Sequence, residues 1–280
     1  MSKIYSFVPN FIQPIYQKIR GFRYQVEEEF KKLTTPVHPH PILILGNQKS
    51  GTSAIAALLA ENTKLSVTID ITQEVDHPIY HHVISGKLSF DEYIQRHKLY
   101  FSKAIIKEPN LTLFYNQLID YFPNSQFIFI IRDPRDNIRS ILNRLNLPGD
   151  LNEIQPEQRQ MMSQSWQLII DNFGLNIPGS NYIEKMAYRW DYMANLYSNN
   201  SENMILIRYE DFIQDKVGQI ERLAQKLGLK PINDISDKVN IQFQGRGDRN
   251  VKWQDFFEKD NLNKIESICI ENMKKFNYLI

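Results

Sequence analysis

Apolar positions in this chain fall into short continuous runs separated by helical stretches, and that alternation organises the first reading. Ile42-Leu43-Ile44-Leu45 is an uninterrupted apolar run ending at Gly46, the pattern of a strand buried on both faces. Ala54 to Ala60 follows as a rich helix former, so strand, loop and helix are predicted in direct succession. Ala104-Ile105-Ile106 predicts a second strand, with a helix over Leu111 to Tyr121 behind it. The strongest strand signal is Phe127-Ile128-Phe129-Ile130-Ile131, which stops at Arg132; Asp133-Pro134 then supplies a helix cap and a first-turn proline. Met204-Ile205-Leu206-Ile207 predicts a fourth strand, followed by a helix from Asp211 to Leu227 that Gly228 ends. The middle third, Asn152 to Ser198, reads as helical and rich in Trp, Tyr and Met. Strands alternating with helices predict an α/β fold of three layers, a central parallel sheet flanked by helices, with ligand at the carboxyl ends of the strands.

Ahead of this pattern, Ile15, Ile19, Phe22, Val26 and Phe30 recur at spacings of three and four. They predict an N-terminal helical arm over residues 1–35, packed on a domain over residues 36–280. Tyr5, Phe7 and Phe11 leave a membrane-surface or partner contact by the arm as the alternative. Three prolines between Thr34 and Pro41 predict an extended linker into the core.

Composition narrows the picture. The 280 residues are 42% hydrophobic, enough to bury a core, and the net charge of +1 offers no global field for nucleic acid. A lone cysteine, Cys269, excludes an internal disulfide and fits a reducing compartment. No stretch approaches the roughly 18–20 uncharged apolar residues of a membrane span, and no signal-peptide run precedes Pro9. A cytoplasmic enzyme is the expectation; oligomeric state has no signature here.

The candidate chemistry begins at Gly46-Asn47-Gln48-Lys49-Ser50-Gly51-Thr52-Ser53. A strand that feeds a glycine loop into a helix gathers backbone N–H groups at a helix N-terminus, which binds anions and phosphate above all. Lys49 adds a mobile positive charge, and Ser50, Thr52 and Ser53 add hydroxyls. Nucleotide-triphosphatase loops place lysine directly after the second glycine; here Thr52 stands there, which argues against ATP hydrolysis.

The segment Pro41-Ile42-Leu43-Ile44-Leu45-Gly46-Asn47-Gln48-Lys49-Ser50-Gly51-Thr52-Ser53 resembles the 5′-phosphosulfate loop of PAPS-dependent sulfotransferases, a family with a P-loop fold. The resemblance implies that Gln48, Lys49, Ser50, Gly51, Thr52 and Ser53 bind the donor, with Lys49 on the leaving phosphate. Three further segments are similar to the family in the family's order. Ile130 to Ser140 places Arg132 and Ser140 at the spacing of its 3′-phosphate pair. Arg208-Tyr209-Glu210-Asp211-Phe212 implies that Tyr209 lies near the adenine. Gly245-Arg246-Gly247 running on to Trp253 resembles a late loop that folds over the 3′-phosphate, which implies Arg246 and Gly247 as ligands.

Sulfuryl transfer needs a clamp on the leaving phosphate, in-line positioning and a base for the acceptor proton. Three bases stay open: Glu74 in Gln73-Glu74-Val75-Asp76-His77, similar to a glutamate-bearing segment of the family and placed first; Glu108 beside Lys107 in Ile106-Lys107-Glu108-Pro109; and His77. Lys107 by resemblance binds the sulfate or supports the transition state. No metal is expected, since Asp76, His77, His81 and His82 lack convincing ligand spacing. The implied reaction moves a sulfuryl group from PAPS to a hydroxyl or amino group of a small molecule, a metabolite or natural product. The acceptor wall is expected from Val75 to Arg96 and from the aromatic third, including Trp166, Phe173, Tyr182, Tyr188 and Trp190. A P-loop kinase of a small molecule and a non-catalytic nucleotide-binding module are the competing readings.

Overall fold

The computed structural model describes residues 34–150, 153–241 and 251–279; residues 1–33 of the predicted arm, Arg246 and Gly247 lie outside the described residues. In chain order the elements are β1 (Ile42–Gly46), α1 (Thr52–Thr63), β2 (Val67–Ile69), α2 (Gln73–Asp76), α3 (Tyr80–Ile84), α4 (Phe90–Arg96) and β3 (Ile105–Lys107). A 3₁₀ segment, Pro109–Phe114, leads into α5 (Tyr115–Tyr121), β4 (Gln126–Ile131), α6 (Pro134–Arg144), α7 (Pro156–Gln160), α8 (Gln164–Ile170) and α9 (Tyr182–Asn199). Then come β5 (Met204–Arg208), α10 (Tyr209–Gln214), α11 (Lys216–Lys226), α12 (Trp253–Phe256) and α13 (Lys259–Lys275).

The five strands form one parallel sheet in the order β2-β3-β1-β4-β5. The continuous apolar runs are explained by cover on both faces. Leu43, Leu45, Phe127, Phe129 and Ile131 pack on one side with Leu118 of α5, Ile138 of α6, Trp190 of α9 and Met273 of α13. Ile42, Ile44, Ile128 and Ile130 pack on the other with Ile55 and Leu58 of α1, Phe212 of α10 and Leu223 of α11. Each such side chain contributes about 1.5–3 kcal/mol by leaving water, so the sheet is the rigid platform of the molecule.

Three departures from the predicted elements have local causes. Strand β2 was not predicted: it is three residues long and pairs only with β3 at the sheet edge, too short for its alternation to register. The helix predicted from Leu111 begins as a 3₁₀ turn, because Thr112 Oγ1 is turned onto the Gly46 backbone, accepting from its N–H at 2.9 Å and donating to its carbonyl at 3.2 Å. The helix predicted from Asp211 to Leu227 is broken at Asp215, whose side chain accepts from Gly218 N at 2.9 Å and caps α11 instead of continuing α10.

Helix α6 starts as its sequence predicts, with Asp133 Oδ1 accepting from Arg135 N at 2.9 Å and Pro134 in the first turn. Arg135 binds Asp133 at 2.7 Å and Glu266 at 3.0 Å and stacks on Trp253. It thereby ties α6 to the C-terminal helix. Among the described residues no helix is long and apolar enough to cross a membrane.

Candidate active site

The order of the sheet puts the loop after β1 between the ends of β3 and β4, where ligands bind in open α/β sheets. Gly46, at φ 135°, lies directly against β4, where a Cβ would collide with the Ile130 carbonyl oxygen. Gly51, at φ 91°, leaves room for the Tyr209 ring, which any side chain there would strike. Lys49 also adopts a left-handed φ of 64°, a conformation that costs free energy in a non-glycine residue and marks the tightness of the turn. Helix α1 follows with no side-chain cap and no acidic residue in its first turn, so its N-terminal donors remain directed at the loop.

A buried polar network holds this loop in place. Asn137 of α6 donates to the Gln48 carbonyl at 2.7 Å and to Ser50 Oγ at 3.0 Å, and accepts from Asn47 Nδ2 at 2.9 Å. Gln48 Nε2 donates to Asn110 Oδ1 at 2.8 Å. On the other flank Arg132 donates to the Lys49 carbonyl at 3.0 Å, and its guanidinium stacks over the Tyr209 ring at 4.6 Å. Two buried donors in this region, Ser53 Oγ and Arg132 Nε, find no partner among the described residues. Orphaned donors beside an uncapped helix N-terminus suit a phosphorylated, sulfated ligand.

A cavity of about 260 Å³ opens beside the loop. Its lining draws Gln48, Lys49 and Thr52 from the loop and the start of α1, Asp70, Glu74, Lys107 and Glu108 from the ends of β2 and β3 and from α2, and the apolar Val75, Trp166 and Ile169 from α2 and α8. Lys107 is 2% exposed and forms an ion pair with Asp70. Glu108 accepts from Ile71 N at 3.0 Å and Asn110 N at 3.1 Å, one bond to each oxygen. Burial pushes its carboxyl up to about 7, with the negative charge of Asp70 acting in the same direction and Lys107 and the two N–H donors opposing.

Glu74 is held differently. Its oxygens accept from Ile79 N at 3.0 Å and Tyr80 N at 3.1 Å, and His97 Nε2 lies 2.6 Å from Oε1, so both oxygens are committed to the protein.

The family model for the sulfotransferase domain matches residues 39–244, which hold all five strands and every residue that lines the cavity. The chain belongs to the sulfotransferase domain family. Among solved structures, the sulfotransferase from Alicyclobacillus acidocaldarius has a TM-score of 0.50 at 16% identity, over 87% of this chain and 96% of that one. The sulfotransferase STF9 from Mycobacterium avium gives 0.48 at 13% identity, over 90% and 80% of the two chains. Mouse sulfotransferase SULT7A1, complexed with PAP, gives 0.47 at 16%, over 87% and 88%. No curated protein sequence matches the chain.

In this sulfotransferase, Gln48, Lys49, Thr52, Glu74, Lys107 and Glu108 line one cavity, while Arg132 and Tyr209 border the loop from behind. Ser140 is partly buried on α6 and does not line that cavity. His77 is exposed at the end of α2, off the cavity wall. Of the expected acceptor wall, Val75 and Trp166 are in place; Tyr182 and Trp190 are core residues, and the Trp190 indole donates to the Arg132 carbonyl at 2.8 Å. Sequence reasoning missed Asp70, His97 and Arg189. Asp70 follows the unpredicted strand β2. His97 lies one helical turn beyond buried Tyr93. Arg189 falls three after Met186 and four before Met193, so its place on the buried face of α9 was readable from spacing alone.

Proposed function

We propose that the chain transfers the sulfuryl group of PAPS to a hydroxyl or amino group of a small-molecule acceptor and releases PAP. The observation that carries this reading is the single cavity in which Lys49 and Thr52 face Lys107 and Glu108. Gln48, Lys49, Ser50, Gly51, Thr52 and Ser53 hold the phosphosulfate, and Arg132, Ser140, Tyr209, Arg246 and Gly247 hold the adenosine 3′-phosphate end. The acceptor lies against Trp166, Ile169 and Val75. As the acceptor oxygen or nitrogen bonds to sulfur, its proton passes to Glu108. The bond from sulfur to the bridging phosphate oxygen breaks, and Lys49 compensates the charge left on PAP. Lys107, neutralised in part by Asp70, holds Glu108 and the incoming sulfuryl oxygens in register.

Glu108 is preferred to Glu74 as the base on geometry. Each Glu108 oxygen has one protein donor and capacity left, whereas Glu74 would have to break a hydrogen bond to take a proton. Glu74 pins the start of α3 instead. A calorimetric titration with PAP in the absence of magnesium, followed by an acceptor screen with labelled PAPS, tests the reading. PAP binding and label transfer are expected; stabilisation by magnesium-ATP alone would sink it in favour of a kinase.

A further inference from the structure

Arg189 is 2% exposed, and among the described residues no carboxylate acts on its charge: the Tyr80 and Tyr192 phenols are its titratable neighbours. The guanidinium points at the underside of the donor loop. Its Nε donates to Asn47 Oδ1 at 3.3 Å and its Nη2 to Gln48 Oε1 at 3.4 Å. Those two side chains are the loop's own framework: Asn47 also accepts from Gln48 N at 3.0 Å and donates to Asn137, while Gln48 lines the cavity beside Lys49. A buried cation without a counter-ion is costly, and proteins ordinarily pair or neutralise it. Here burial pulls the guanidinium down only to about 10, so it stays charged at neutral pH.

We infer that Arg189 is a positioning residue of the donor site, a permanent buried charge behind the phosphate loop that is matched only when an anionic donor occupies the loop. It acts through Asn47 and Gln48: its N–H groups hold Asn47 Oδ1 and Gln48 Oε1 while Asn137 and Asn110 accept from the two amide nitrogens, so both loop side chains are fixed at each end. This rests on the PAPS reading above. Lys49 meets the donor from the cavity side; Arg189 does so through the low-dielectric interior, where salt screens little.

The test compares PAP affinity with the stability of the ligand-free protein. Wild type is titrated first: no PAP binding there would fail the functional reading and not this inference alone. Arg189→Met is then expected to weaken PAP about tenfold, with a ligand-free melting temperature equal to or above wild type, since the uncompensated charge is gone. The weakening should persist in high salt. Arg189→Lys, which keeps the charge and loses the fork, should bind PAP within about threefold of wild type. Should Arg189→Met not fold, Arg189→Gln is read in its place. PAP affinity within twofold of wild type in the neutral variant, or equal losses in Lys and Met, would overturn the inference. So would failure of both neutral variants to fold while Arg189→Lys folds, because the charge would then serve the fold itself.

Discussion

The two sides of the cavity are built on opposite principles. On the donor side, the Asn47, Gln48 and Ser50 side chains and the Gln48 and Lys49 carbonyls are held by Asn137, Asn110, Arg132 and Arg189, and the backbone is bent into left-handed conformations at Lys49 and Gly51. On the acceptor side, charged groups from the ends of two strands meet an apolar wall from α2 and α8, and Glu108 is left with unused hydrogen-bonding capacity. A rigid, pre-assembled anion site suits a donor that never varies. A wall drawn from separate elements can differ among relatives without disturbing the sheet, because α2 and α8 stand outside it.

The sharpest way to break this contrast is Glu108→Gln. It should lower kcat by about 10²–10⁴-fold with PAP affinity retained, measured by labelled-PAPS turnover and calorimetry. In wild type, kcat/KM should rise with pH through a midpoint near 7, as the base must be ionised. The same shift carries a stability consequence of fixed sign. Because the folded-state pKa is raised above that of a free carboxyl, the folded protein binds the proton more tightly than the unfolded chain does. Wild-type stability is therefore fully present at low pH and falls as pH rises through about 7. Glu108→Gln should lose that pH dependence: it starts below wild type at pH 4, because its amide NH2 replaces an oxygen that accepts a backbone N–H, and gains up to about 3 kcal/mol relative to wild type between pH 4 and pH 8, read by denaturant unfolding.

Next in size, Lys49→Met should cost about 10²–10³-fold in kcat, since one preorganised charge is lost at the leaving group. Methionine is unbranched like lysine and adds no backbone strain at φ 64°, so the variant should still fold. Glu74→Gln sharpens the contrast in the other direction. Loss of the charge-assisted bonds to Ile79, Tyr80 and His97 should lower stability by about 1.5–3 kcal/mol while kcat stays within about tenfold of wild type. A loss of turnover at unchanged stability would return the base to Glu74. Smallest is Trp166→Ala, expected to raise acceptor KM about tenfold and leave PAP binding alone, since Trp166 stands on the cavity's apolar side.

How much of this was readable in advance follows from how each part is held together. The donor loop was legible because its geometry is local: glycines at Gly46 and Gly51 are demanded by contacts with Ile130 and Tyr209, and a strand must precede them and a helix follow. Arg132 was legible for the same reason, as it sits where β4 ends. His97 and Asp70 were not, because each acquires its partner across the chain, from Glu74 and Lys107.

By itself, then, the sequence determined the parallel sheet, the anion-binding loop and the sulfotransferase resemblance, all of which rest on periodicity and short-range spacing. Only the tertiary structure decided which carboxylate keeps hydrogen-bonding capacity, Glu108, and which has both oxygens committed to the fold, Glu74. It also decided that Arg189 lies buried against Asn47 and Gln48 with no acidic partner among the described residues. Hydrogen-bond capacity and the charge balance of a buried group depend on every neighbour that surrounds it, and those neighbours are brought together only when the chain has folded.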